Sequence, residues 1–212
     1  MEYVLTFTGA PKLEAGATLE TVTEECRLAA LELMAGAAKG WDKLDLVLWL
    51  TGPYHRATRH VPRGERTSAH VDDDAEVEPE AIEELVVRVR QQLIASLEKA
   101  ALDDGVLDFA EDAVMRGIVR KAKDEHGEEV WVPVDVARMR LRDRVRALFA
   151  ADYLNAPDAY IELFVCHRCE AVVFDAGAKR LGICGAHKRI SGMVPKEEGS
   201  TPSTPKVVGG DD

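Results

Sequence analysis

Three cysteines and one histidine close to the C-terminal end carry the most visible chemistry of this chain. They run Cys166-x2-Cys169, then fourteen residues, then Cys184-x2-His187. Each short pair can form a tight turn that aims two donors at one point, and thiolates with an imidazole are ligands that suit a transition metal. Residues 170–175 are strand-like and break at Ala176-Gly177, so the chain can run out, turn and return with the second pair. Four protein ligands complete a tetrahedral shell and leave no position for water or substrate. The spacing therefore predicts one structural Zn2+ per chain rather than a reaction centre. Three thiolates and a neutral imidazole leave that centre with one net negative charge, and Arg168, Arg180, Lys188 and Arg189 lie near enough in sequence to offset it.

Over residues 160–190 this pattern resembles a zinc ribbon, which implies a small metal-folded module and a binding role. In the commonest ribbon form a glycine follows the second ligand of each pair. Here Glu170 and Lys188 stand in those places, and Gly185 lies inside the second pair. A competing reading takes His126-Gly127-Glu128 with Cys166-His167-Arg168-Cys169, an order similar to that of zinc nucleobase deaminases, whose Pro-Cys-x-x-Cys element has Val165 in place of its proline here. It would leave Cys184 and His187 without a role, so the four-ligand reading is preferred.

Other reactive side chains are less ordered. His55, His60 and His70 can be read as a second metal or acid–base site, or more simply as histidines of a solvated loop. Cys26 has no nearby partner and reads as a small core residue. Arg138, Arg142 and Arg146 recur every fourth residue, with Arg140 and Arg144 around the helix from them. Such a row can contact phosphates or an acidic protein surface. The plainer reading, a helix face paired with acidic residues of the same chain, is preferred.

Periodicity supplies the elements that must position these groups. Residues 3–8 alternate as a strand, and residues 19–38 favour a helix with Thr21 and Glu24 spaced as a capping box. That helix would bury Leu28, Leu31, Ala35 and Ala38, and residues 46–51 read as a second short strand. Residues 53–78 are polar, either a loop or a hairpin around Pro62-Arg63-Gly64. Pro79 opens a helix striped by Ile82, Leu85, Val86, Val89, Leu93 and Leu97, followed by another helix over 108–123. Residues 129–134 read as a strand and Asp135 as the cap of a helix reaching 154. A strand over 160–165 leads into the first cysteine pair.

The expected organisation is a strand-helix-strand unit over 1–52, a polar loop or hairpin over 53–79, and a helical region with one short strand over 80–159. A ribbon over 160–192 and a disordered tail over 193–212 complete it. The fold class is α/β or α+β, a helix-rich domain with a small sheet and a C-terminal zinc ribbon.

With 212 residues and 46% hydrophobic content, the chain can build a core without disulfides. Clustered cysteines and the lack of a signal-like or membrane-length apolar run predict a reducing, cytoplasmic setting and no membrane partner. The net charge is −11, which argues against non-specific nucleic-acid binding. It is uneven, with 23 acidic against 12 basic residues up to position 117 and 13 basic against 11 acidic over 118–192. A zinc-binding, non-catalytic adaptor or protein-interaction protein is therefore expected. A nucleic-acid-associated factor is the alternative, and a zinc-dependent hydrolase or deaminase-like enzyme is third.

Overall fold

The computed structural model describes residues 11–60, 81–135 and 139–188. The strand expected at 3–8, the loop or hairpin beyond residue 60, Pro79, His70, Arg138, Arg189 and the tail lie outside the described residues.

Helix α1 (Leu19–Ala37) starts one turn earlier than the expected capping box, because the Thr18 hydroxyl accepts the Thr21 N–H at 3.2 Å. Its buried stripe is Val22, Cys26, Ala29, Ala30, Leu33, Met34 and Ala37. That is a different face from the one expected, and Leu28 is exposed. Helix α1 packs most extensively against α6 (Leu141–Asn155), whose buried residues include Ala147, Ala150 and Ala151, and this helix pair lies at the centre of the fold. Small side chains on both sides let two helices approach closely, so packing rather than the largest apolar residues chose the face.

Residues 46–51 are not a strand. They belong to α2 (Lys43–Thr51), which the Asp42–Asp45 box starts: Asp42 Oδ1 accepts from the Leu44 and Asp45 N–H groups, and Asp45 Oδ2 accepts from the Asp42 N–H. Leu46 and Trp49, three residues apart, turn inward, and the Trp49 indole N–H donates to the Ala29 carbonyl at 2.8 Å. Residues 53–58 form α3 (Pro53–Thr58), a short helix where a loop or hairpin was expected, with Pro53 opening it.

Helix α4 (Ile82–Leu102) keeps the expected stripe, burying Val86, Val89, Leu93 and Leu97 together with Arg90. The helix expected over 108–123 is only α5 (Phe109–Met115). Gly117 at φ +67 reverses the chain, and the Ile118 N–H returns to the Ala113 carbonyl at 3.0 Å. Residues 119–123 then form β1 (Val119–Lys123), antiparallel to β2 (Glu129–Pro133) with Val119 opposite Pro133. Gly127 lies in this hairpin turn, where Asp124 Oδ1 accepts from the His126 and Glu128 N–H groups. Helix α6 begins at Leu141 rather than after Asp135. The Asp135 carboxylate is paired instead with Arg144 and accepts from the Tyr54 hydroxyl at 3.2 Å.

The chain continues through α7 (Pro157–Tyr160), β3 (Leu163–Val165), β4 (Val172–Phe174), α8 (Ala176–Leu181) and α9 (Gly185–Lys188). Thus the strand expected from residue 160 begins at 163. The architecture is helix-rich with two small antiparallel sheets, β1-β2 and β3-β4. No described helix is long and apolar enough to cross a membrane.

Asp152 of α6 fastens α1 and α7 to this centre. Its carboxylate is fully buried, receives N–H bonds of 3.0 and 2.9 Å from Arg27, and lies 2.9 Å from the Tyr160 hydroxyl. Burial raises Asp152 above its ordinary range, while Arg27 and Tyr160 oppose that rise. A carboxyl with a raised folded pKa loses stability as pH climbs from its unfolded value of about 3.9 through the folded one. Arg27→Met is expected to destabilise the protein by about 3–5 kcal/mol at pH 7, since it leaves a buried charge unpaired. The deficit should shrink as pH falls toward about 3, below the unfolded value of about 3.9, where Asp152 is protonated in the folded state and mostly so in the unfolded one. Urea unfolding of both proteins across that range checks it, and a deficit that grows on acidification contradicts it.

Candidate metal centre

The β3–β4 ladder brings Val165 opposite Val172 and so places Cys166 just beyond the end of β3. There the chain closes a knuckle: the Glu170 N–H donates to the Cys166 carbonyl at 2.7 Å, and the Cys166 N–H donates to the Ala171 carbonyl at 2.9 Å. The second pair arrives through α8, whose N-cap Asp175 accepts the Ala178 N–H at 2.8 Å. Gly182, at φ +67, ends α8 and turns the chain back toward Cys184. His187 sits on α9, with its N–H on the Cys184 carbonyl at 2.9 Å.

These turns bring all four expected ligands together, their donor atoms within 4.8 Å of one another. His187 Nδ1 lies 3.4, 3.8 and 3.3 Å from the sulfurs of Cys166, Cys169 and Cys184, and the Cys169 and Cys184 sulfurs are 3.7 Å apart. A tetrahedral centre with metal–sulfur bonds of about 2.3 Å and metal–nitrogen bonds of about 2.0–2.1 Å needs donors roughly 3.5–3.8 Å apart. The spacings fit such an ion at their middle. They do not fit a disulfide, whose sulfurs are about 2.05 Å apart, and all four cysteines of the chain are free thiols.

Electrostatics around the sulfurs point the same way. Burial would raise the Cys166 thiol, but backbone N–H groups of Cys184, Arg168 and Cys169 and the His187 ring outweigh it and bring it down to about 6. Cys169 moves oppositely, to about 11, through burial and the neighbouring thiols of Cys184 and Cys166, against one favourable N–H from Ala171. One thiolate forms readily and the next resists. A cation at the centre removes that conflict. Around the donors lies a small core of Phe164, Cys166, Ala178 and Cys184, with Ala171 and Val173 against it.

The remaining candidates are scattered. Arg168 and Arg180 are exposed near the cluster. On α6, Arg142 lies 3.8 Å from Asp143, and Arg146 lies 3.8 Å from Asp112 with its guanidinium over the Phe109 ring. Arg116 of the α5 C-cap takes the Asp143 carboxylate with two N–H bonds of 3.1 and 3.0 Å. His55 is exposed on α3, whereas His60 is buried with Nε2 at 2.6 Å from Glu25. His126 is exposed in the β1–β2 turn and is not among the four converging ligands. Cys26 is fully buried, and burial pushes its thiol well above the ordinary range. It therefore stays neutral.

One residue that motif reading overlooked touches the knuckle. Arg90 is buried on α4, and its guanidinium reaches Glu170 and the backbone carbonyls of Cys169 and Glu170. A signal for it existed. Arg90 follows Val86 by four residues and precedes Leu93 by three, which puts a charge on the apolar stripe of the helix. Compared with known proteins, the chain matches no protein family, no curated protein and no solved structure.

Metal binding should strengthen with rising pH. Cys166, at about 6, is largely ionised at neutrality, whereas Cys169, at about 11, must release its proton to bind. Affinity is expected to rise about tenfold per pH unit for each proton released between pH 6 and 8. Chelator competition at several pH values measures it, and a pH-independent affinity would falsify the thiolate assignment. Cys166→Ser with Cys169→Ser should abolish binding and unfold the segment that follows β3, read as lost protection from hydrogen exchange at residues 163–188.

Proposed function

We propose that this chain is a zinc-binding, non-catalytic adaptor or protein-interaction protein, built around one structural zinc held by Cys166, Cys169, Cys184 and His187 in a ribbon-like module. The convergence of four donors within 4.8 Å of one another carries this reading. A set of three sulfurs and one imidazole suits Zn2+, and a shell filled by protein leaves the metal no site for water or substrate. The ion then works by folding its module, and thiolate ligation fits a reducing, cytoplasmic setting.

What favours a protein partner over a nucleic acid is the use of charge. Arg142 and Arg146 of α6 lie beside Asp143 and Asp112, so carboxylates of the chain itself compete with phosphate for these guanidinium groups. Helix α2 meanwhile exposes Leu44, Val47 and Leu48 on successive turns of one face. Apolar side chains of this kind contact protein more readily than a phosphate backbone.

Elemental analysis of the purified chain should return about one zinc per molecule, and iron or no metal would overturn the assignment. The second half of the reading is tested on immobilised heparin and DNA. We expect no binding near physiological salt. Tight binding that collapses between low and physiological salt would favour the nucleic-acid alternative through Arg168, Arg180, Lys188 and Arg189.

A further inference from the structure

Arg90 makes contacts that neither core packing nor surface solvation accounts for. It projects from the apolar stripe of α4 and is only 8% exposed. Its Nε donates to the Met34 carbonyl near the end of α1 at 3.1 Å. Nη1 donates to the Glu170 carboxylate at 2.5 Å, and Nη2 reaches the Glu170 and Cys169 carbonyls at 3.2 and 3.4 Å. One buried guanidinium thus joins two helices of the main core to the turn that carries two sulfur ligands. A rigid planar fork suits this task, whereas a lysine could reach only one of these acceptors at a time.

The turn it grips has an unusual backbone. Glu170 has φ +53, one of the two described non-glycine residues in left-handed space, and it occupies the place where a ribbon commonly has glycine. For an L-residue this conformation is unfavourable because Cβ crowds the following carbonyl. It is nonetheless required, since the Glu170 N–H closes back on the Cys166 carbonyl at 2.7 Å. The side chain that creates the strain also supplies the carboxylate that Arg90 holds.

We propose that Arg90 is a positioning residue for the metal site: through Glu170 and the Cys169 carbonyl it holds the first knuckle in its left-handed conformation and couples metal affinity to the helical core. This rests on the zinc reading above. Arg90 touches no ligand sulfur and acts only through the backbone that carries Cys166 and Cys169. Outer contacts of this kind commonly change metal affinity by about 10–100-fold.

The test is zinc affinity by chelator competition on the full chain, with the visible spectrum of the Co2+-substituted protein as a report on ligand geometry. Arg90→Met is expected to weaken zinc by about 10–100-fold and to alter the cobalt spectrum. Adding Glu170→Gly to that variant should recover about tenfold, because glycine adopts the left-handed turn without help. A residue that merely stabilised α4 would show no such rescue. Should Arg90→Met fail to fold, the single variants decide, since both keep Arg90. Glu170→Ala, which retains Cβ but loses the carboxylate, should bind zinc about tenfold more weakly than Glu170→Gly. Unchanged affinity in Arg90→Met, no rescue by glycine, or equal affinities of the alanine and glycine variants would each overturn the proposal while leaving the zinc site intact. A wild-type chain that binds no zinc would overturn the site itself.

Discussion

Strand β3 is only three residues long, yet it is buried on both faces, and the arrangement of the C-terminal third follows from that. Leu163 and Val165 point into the main core with Phe149, Leu97 and Tyr160, while Phe164 and the following Cys166 point into the small core around the sulfurs. Alternation along a strand sends successive side chains to opposite sides, so one short segment serves both clusters. A shift of register by one residue would move Cys166 away from its partners and put Phe164 among the helices. The location of the candidate metal ligands is in this sense set by the packing of Leu163 and Val165 against α4. The ribbon-like segment is an extension of the helical core and not an appendage.

Buried charge provides the remaining ties. Arg27 spans Asp152 and the Phe174 ring, reaching from α1 to α6 and across to β4 at 4.7 Å from the ring centroid. Arg116 clasps Asp143, and Arg144 joins Asp135 while lying over the Tyr54 ring. Each guanidinium offers several donors in a fixed plane, so one side chain can satisfy a carboxylate and cover an aromatic face together. In a chain of net charge −11, these arginines neutralise acidic groups that would otherwise repel or remain unsatisfied inside. Their positions explain why a regular arginine row on α6 does not amount to an open basic face.

The first knuckle shows how the two levels meet. Its hydrogen bonds require a left-handed residue after Cys169, and the chain places glutamate there in spite of the steric cost. Its carboxylate faces the buried Arg90, which ties the cysteine-bearing segment to α4 and α1 through one side chain. The segment that carries the cysteines gains a defined orientation on the helical core from this contact.

Much of the site could be read from the chain alone. Paired ligands at short spacing force local turns, and the fourteen-residue return between them follows from strand-like residues that break at Ala176-Gly177. Local physics of this kind needs no tertiary context, and the stripe of α4 and the strand at 129–133 were legible for the same reason. What tertiary structure decided were the ambiguous apolar runs and the buried charges. Residues 46–51 carry β-compatible side chains, but the Asp42–Asp45 cap and the seat for Trp49 against α1 made them a helix. Residues 119–123 left the helical pattern because Gly117 reversed the chain and β2 offered a ladder. The inward face of α1 was chosen by its packing against α6, a fact of the partner helix that periodicity on α1 could not contain. The partner of Glu170 lies eighty residues away on α4, so only the assembled core could reveal that a glutamate in a glycine's place is held there by Arg90.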